Sequence, residues 1–484
     1  MSLYDLEPKA PIKHFLDLSA IPRGSGNEKA SSDFLAAFGR NLGLEVYQDK
    51  SLNVIIKKPG TPGYEKAPRV ILQGHLDMVC EKNKDSDHDF EKDGIDVWQD
   101  GEFLRGRGTT LGADNGVAVA LGMAFLESTD TPHPPLTVLM TTGEEVGLVG
   151  ASALDPVHLA DAARLINLDA GGDGVFVAGC AGGLRAAITY LGRRGPIPGD
   201  YISLKISVEG LLGGHSGGNI NMGRANAIKI LGRLLDRASD YSTLLAKASG
   251  GDKDNAIPRE AEGIICVKSA DLPVVKDALD KLSADIKKEY NVTDPGITIN
   301  YAQVPAVGTV FERSATKKII SAISLMPNGV QHMDKNLPAF IETSLSMGVF
   351  NTSDSGEATF LIAIRSSVDS RKREIYGQLQ AVAELLNAKI EPGNQYPAWS
   401  YREESPLRDV CVQVSKEIFG EDPRIQTVHG GLECGVLLEK GPHLDAVATG
   451  ARLFDAHSPD ERLSIPSFAN AWKTLKEILK RLDT

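Results

Sequence analysis

Three apolar runs in the first 175 residues each end in a histidine or a carboxylate: RVILQGHLDM (69–78), PLTVLMTTGEE (135–145) and ARLINLDAGGD (163–173). Between the first two lies GADNGVAVALGMAFLES (112–128), rich in small residues and helical after its start. Strand and helix in alternation imply a largely parallel sheet. In such sheets ligand sites gather outside the carboxyl ends of the strands. Side chains two apart on a strand share a face, so His75 and Asp77 emerge together where RVILQGHLDM ends. An imidazole beside a carboxylate suits a metal ligand with an orienting partner.

The rest of the chain predicts a discontinuous domain. Helices are expected over 5–20 and 27–42, and one strand in VYQDKSLNVIIKK. The acidic stretch KNKDSDHDFEKDG (82–94) reads as a solvated loop. The character changes where Gly and Pro cluster near Gly182–Asp200. From there to about residue 395 strands such as YISLKISVEG and AEGIICVKS mix with helices at 222–237, 272–289, 314–326 and 370–388. The pattern suggests two successive α+β units. After EPGNQYPAWS the alternating style returns, with the strand HLDAVATG and a closing helix over 468–481. The expected fold is α/β: residues 1–183 and 396–484 form a mostly parallel-sheet catalytic domain, and 184–395 an inserted α+β lid or dimerisation domain.

Asp114, Glu144, Glu145 and Asp169 join His75 and Asp77 at strand ends or the turns leaving them. Carboxylates packed that closely repel unless cations sit among them. A mixed His/Asp/Glu set suits zinc, with cobalt or manganese as alternatives. His457, in LFDAHSPDER, would be a fifth contribution. Adjacent residues of an extended segment face opposite ways, so one of Glu144 and Glu145 can hold metal while the other faces substrate.

The motif series GHLDMV, TLGADNGV, GEEVG, NLDAGG and DAHSPDER resembles that of the M20 metallopeptidases. IPRGSGNE, AGCAGG, HSGGNINMGRANA, NAIPREA, IRSSVDS and HGGLECG narrow the likeness to the aminoacyl-histidine dipeptidases. The resemblance spans nearly the whole length and implies a zinc-peptidase-like fold with a two-metal site. Asp114 would bridge the ions, His75 and Asp169 holding one, Glu145 and His457 the other. Asp77 would orient His75, and Glu144 would be the general base and later the proton donor to the leaving amine. In the inserted domain the resemblance makes His215 an oxyanion-stabilising lid residue. It assigns Asn255, Arg365 and Gly431 to substrate binding, with Arg365 on the free α-carboxylate of a dipeptide. Two departures bear on substrate preference: Asn221 stands where the subfamily has histidine, and Ala170, Gly171 and Gly172 where it has acidic residues.

GHSGG also fits the G-x-S-x-G pattern of a nucleophile elbow, so a serine hydrolase with Ser216 as nucleophile is an alternative. An N-acyl amino acid deacylase of the same superfamily is another. The net charge of −12 disfavours nucleic acid and anionic membranes as partners. Five scattered cysteines without CxxC spacing, no export signal and no long apolar run point to a cytoplasmic protein. An insert of about 200 residues leaves room for a lid and for a homodimer surface.

Overall fold

The strand Arg69–His75 runs through the middle of an eight-stranded sheet, buried along almost its whole length. It pairs in parallel with Leu136–Thr141 on one side and Ala162–Asn167 on the other. Ala162–Asn167 in turn runs parallel to Asp445–Ala448. Parallel strands buried on both faces need apolar residues at nearly every position, which explains the unbroken runs of the sequence. Antiparallel strands flank this centre, Val54–Lys58 on one side and Val175–Cys180 on the other.

The register decides where the functional side chains land. His75 lies opposite Thr141, and Gln73 opposite Asn167. The turns leaving the three strands therefore carry Asp77, Glu144, Glu145 and Asp169 to one edge. The helix Ala113–Glu127 is buried all round, packing on the strand Arg69–His75 and on the helix Lys9–Ser19. Gly74 is needed at that crossing, since a Cβ there would collide with Ala118 and Asn115.

The computed structural model describes residues 2–483, which divide into two units. One runs to Cys180 and includes Trp399–Thr427 and the chain from Leu432 onward. The other is Ala181–Ala398 with Val428–Gly431. The second unit is built on a nine-stranded sheet whose described pairings are all antiparallel. Leu204, Ile206 and Val208 alternate along Tyr201–Glu209 into a core shared with the helix Ala227–Ser239. Two successive α+β units were expected here. Instead one sheet joins both parts through two residue pairs, Ser249 with Asn351 and Gly250 with Phe350. Pairing the parts satisfies edge groups that each would otherwise expose.

Other expectations shift locally. VYQDKSLNVIIKK is a hairpin of Glu45–Gln48 and Val54–Lys58 rather than one strand. Asp49 Oδ1 accepts the N–H groups of Ser51 and Asn53 at 2.8 and 2.9 Å, which turns the chain between them. The helix expected from Met222 begins at Ala227, where Asn226 accepts from the N–H groups of Ile228 and Lys229. The strand Val175–Cys180 was hidden behind the glycine run before it. The five cysteines are unpaired. No helix among the described residues is long and apolar enough to cross a membrane.

Candidate functional site

In the first unit, Asp114 stands between two histidines. Its Oδ1 lies 3.2 Å from His75 Nε2, and its Oδ2 3.2 Å from His457 Nε2. His75 Nε2 is also 3.7 Å from Asp169 Oδ1, and His457 Nε2 is 3.0 Å from Glu145 Oε1. Ligand-capable atoms of His75, Asp114 and Glu145 all lie within 4.8 Å of one another. Glu145 Oε1 makes no aligned hydrogen bond despite its closeness to His457. A ring nitrogen and a carboxylate oxygen at 3.0 Å without hydrogen-bond alignment are disposed as co-ligands of a common cation. The donor chemistry and this orphaned oxygen both fit divalent metal.

The electrostatics agree. Burial alone would lower the pKa of His75, but the carboxylates of Asp169, Asp114 and Asp77 outweigh it and raise the pKa well above the ordinary value. The hydrogen bond to Asp114 and the adjacent Glu145 carboxylate lift His457 to about 10. Burial and the neighbouring Asp114 charge push Asp169 up to about 7. With protons as the only counter-charge, the cluster thus draws them onto its histidines and one carboxyl. A cation of higher charge competes for the same positions.

Behind His75 sits Asp77, fully buried, with Oδ1 3.3 Å from His75 Nδ1. Its oxygens also accept the Ser25 hydroxyl at 2.8 Å and the N–H groups of Glu144 and Glu145 at 3.0 and 3.2 Å. Burial works against its charge, but His75 and these donors hold its pKa at about 2. Glu144 has the opposite fate: burial, helped by Asp169, Glu433 and Glu145, raises it well above the carboxylate range. A carboxyl tuned upward is suited to carrying a proton at neutral pH.

Several residues that support the cluster were missed by sequence reasoning. Glu461, four residues beyond His457, accepts the N–H groups of Leu111, Gly112, Ala113 and Asp114 between 2.7 and 3.2 Å. It thereby fixes the start of the helix that presents Asp114. Arg23 of IPRGSGNE is buried and donates to the carbonyls of Leu76, Asp77 and Gly112. Glu433 of HGGLECG is buried against Gln73 and Thr141. Gln73 accepts from Asn167, whose oxygen takes the N–H of Asp169 at 3.1 Å. All three lie in motif strings; only their distant partners were illegible. His457 itself has φ +63°, in the left-handed region that a non-glycine residue occupies at a cost.

In the second unit His215 Nδ1 accepts the N–H groups of Gly217 and Gly218 at 3.3 and 3.0 Å. A neutral imidazole has one N–H, and Arg365, which can only donate, faces the other ring nitrogen, Nε2. Burial and the charges of Arg365 and Arg185 lower its pKa and keep the ring neutral. Arg365 lies 3.3 Å from His215 Nε2 and donates to the Tyr396 hydroxyl at 3.2 Å, while its Nε has no protein partner. Tyr396, another unforeseen residue, packs its ring against Gly183 and Gly431, where a Cβ would clash. Asn255 is exposed, and its carbonyl accepts the N–H of Ser216. Asn221 is exposed on the short turn Ile220–Met222.

The serine-hydrolase alternative does not survive this geometry. Ser216 is buried, its hydroxyl has no partner, and GHSGG leaves a two-residue strand for a turn rather than a helix. A nucleophile needs a base within reach.

The chain matches the description "Peptidase family M20/M25/M40" over residues 71–481. It is 34% identical over 481 residues, 99% of each chain, to the cytosol non-specific dipeptidase of Escherichia coli (strain K12). Among solved structures it resembles an aminoacylhistidine dipeptidase from Vibrio alginolyticus, with a TM-score of 0.93 and 35% identity over 99% of this chain and 98% of that one. The aminopeptidase PepT of Bacillus cereus shares the fold at a TM-score of 0.57 and 15% identity, over 99% of this chain and 100% of that one.

Proposed function

Since the chain belongs to peptidase family M20/M25/M40 and is a metal-dependent dipeptidase, we propose that it hydrolyses dipeptides with a free carboxyl terminus, using Glu144 as proton carrier. The observation that carries this reading is that Asp114 offers one oxygen to His75 and the other to His457. Two divalent ions, zinc by the mixed nitrogen and oxygen donors, would be held by His75, Asp114 and Asp169 and by Asp114, Glu145 and His457. Such ions supply Lewis acidity to the scissile carbonyl and make water a better proton donor.

The chain's own residues do the rest. Asp77 holds the His75 ring and the backbone of Glu144 in place. Glu144 takes a proton from the attacking water and returns it to the leaving amine, so water and one dipeptide become two amino acids. His215 donates a ring N–H to the oxyanion of the tetrahedral intermediate. Arg365, its Nε uncommitted, pairs with the terminal carboxylate and limits substrates to dipeptides. Asn255 and the backbone of Gly431 hold the peptide between them. A cytoplasmic location is supported by the unpaired cysteines.

The test is a dipeptide panel on protein stripped of metal and refilled with zinc, manganese or cobalt. Hydrolysis is expected to vanish on stripping and return best with zinc. Full activity in the stripped protein would refute the reading.

A further inference from the structure

Asp294 is fully buried in the turn between the helix Leu272–Glu289 and the strand Thr298–Val304 of the second unit. Its Oδ1 accepts the N–H of Leu212 at 2.8 Å, and its Oδ2 the N–H of Ala225 at 2.7 Å. Leu212 and Ala225 are the two ends of the loop that carries His215. We propose that Asp294 is a positioning residue, which clamps the neck of this loop and so sets the place of His215. The proposal rests on the oxyanion role given to His215 above and adds the group that fixes it.

Strand register delivers Asp294 to that neck. Tyr201–Glu209 pairs with Thr298–Val304 so that Glu209 lies opposite Thr298, which brings the chain entering the loop beside the chain leaving Asp294. Gly210 turns there at φ +78°, and a Cβ on it would strike the carbonyl of Gly296. The backbone of Asp294 is itself held: its N–H donates to the Tyr290 carbonyl at 2.8 Å, and its carbonyl accepts from Ile297 at 3.1 Å. Beyond the neck the loop has little regular structure. It contains two rungs, Gly214 with Ile257 and His215 with Ala256, the short turn Ile220–Met222, and a bond from Arg224 to the Gly213 carbonyl.

A carboxylate suits this place because both its oxygens accept and both neck groups donate. An asparagine of the same shape would turn its NH2 toward one of them and release that end. Burying the charge is costly, and the cost is offset only while both N–H groups face it. His215 stands just beyond Leu212, so a shift at the neck is passed to its ring. Arg365, 3.3 Å from His215 Nε2, sits on a strand paired on both sides and does not follow. A loosened neck therefore misplaces the oxyanion donor while sparing the group that binds the terminal carboxylate. Misplacement by about 1 Å is enough to cost on the order of 10²-fold in rate.

The experiment compares Asp294→Asn, His215→Ala and the double variant with wild type, all loaded with zinc, on one dipeptide. Asp294→Asn is expected to lower kcat about 10–100-fold and to leave KM within about twofold, since only transition-state stabilisation is lost. In the His215→Ala background the same substitution should change kcat less than about twofold, because the group it positions is gone. An Asp294→Asn enzyme with wild-type kcat, or an equal loss in both backgrounds, would overturn the clamp and leave the role of His215 standing. His215→Ala at wild-type kcat would overturn both. Amide exchange on the wild-type holoenzyme needs no variant. Corrected for intrinsic rates, the N–H groups of Leu212 and Ala225 should exchange at least about tenfold more slowly than that of the exposed Gly223. Equal rates would overturn the clamp even if Asp294→Asn does not fold.

Discussion

Asp77 Oδ1 accepts the main-chain N–H of Glu144 at 3.0 Å. One buried carboxylate thus fixes the backbone of the proposed proton carrier and also faces Nδ1 of His75. Asp77→Ala should weaken zinc affinity by roughly 10–100-fold, in the range for partners that orient a metal ligand. It should also lower kcat in enzyme saturated with zinc. Competition with a fluorescent chelator reads the first effect and steady-state kinetics the second. Unchanged affinity would remove the orienting role.

Glu144→Gln keeps size and polarity but cannot carry the proton. Zinc content is expected to stay at the wild-type level while kcat falls by about 10²–10⁴-fold. Metal analysis and turnover on one preparation decide it, and a variant within tenfold of wild type would exclude Glu144 as base.

Ser216→Ala should retain most activity, and a fluorophosphonate should leave the wild type untouched, because the buried hydroxyl has no partner. EDTA should abolish turnover in both proteins. Labelling of Ser216 with loss of activity would revive the serine mechanism.

Arg365→Ala should raise KM for dipeptides about 10–100-fold, as loss of a charge-assisted pair to the terminal carboxylate predicts. C-terminal amides of the same dipeptides lack that charge and should suffer much less. Equal losses for acid and amide would show that Arg365 acts only through its contacts with Tyr396 and His215.

Burial and the nearby Arg365 charge depress the pKa of His429 to about 3, and its Nε2 lies 2.6 Å from the Ser344 hydroxyl. An unfolded histidine takes its proton near pH 6.5. Between these values the unfolded chain binds the extra proton, so stability falls as pH drops below about 6.5. His429→Gln has no such linkage and should show a shallower fall in Tm between pH 7 and 5. Parallel curves for the two proteins would refute the assignment.

The strand ends were legible because four of the five proposed ligands close an apolar run or open the helix that follows, His457 in its loop being the exception. His75, Asp114, Glu145 and Asp169 are separated in sequence, yet parallel pairing makes them neighbours. What lay hidden was what holds them still. Glu461 looks like one more acid in SPDER, and only folding reveals the four N–H groups it accepts. Tyr396 gives no sign of its contact with Arg365, because the two meet across Gly183 on the strand between theirs, and that depends on strand register. The merging of the second unit's two parts was equally invisible, since two residue pairs leave no periodic trace.

Those two pairs, Ser249 with Asn351 and Gly250 with Phe350, make a narrow waist in a broad sheet. Bending stiffness across a sheet follows the number of rungs that bridge it, and here there are few, one of them at a glycine. The join between the two plates is therefore carried less by rungs than by the apolar core they share, with Leu245 and Ala248 from one side and Met347 and Phe350 from the other. Amide exchange should be faster at Ser249–Gly250 than along Tyr201–Glu209, whose rungs run almost its full length on both sides.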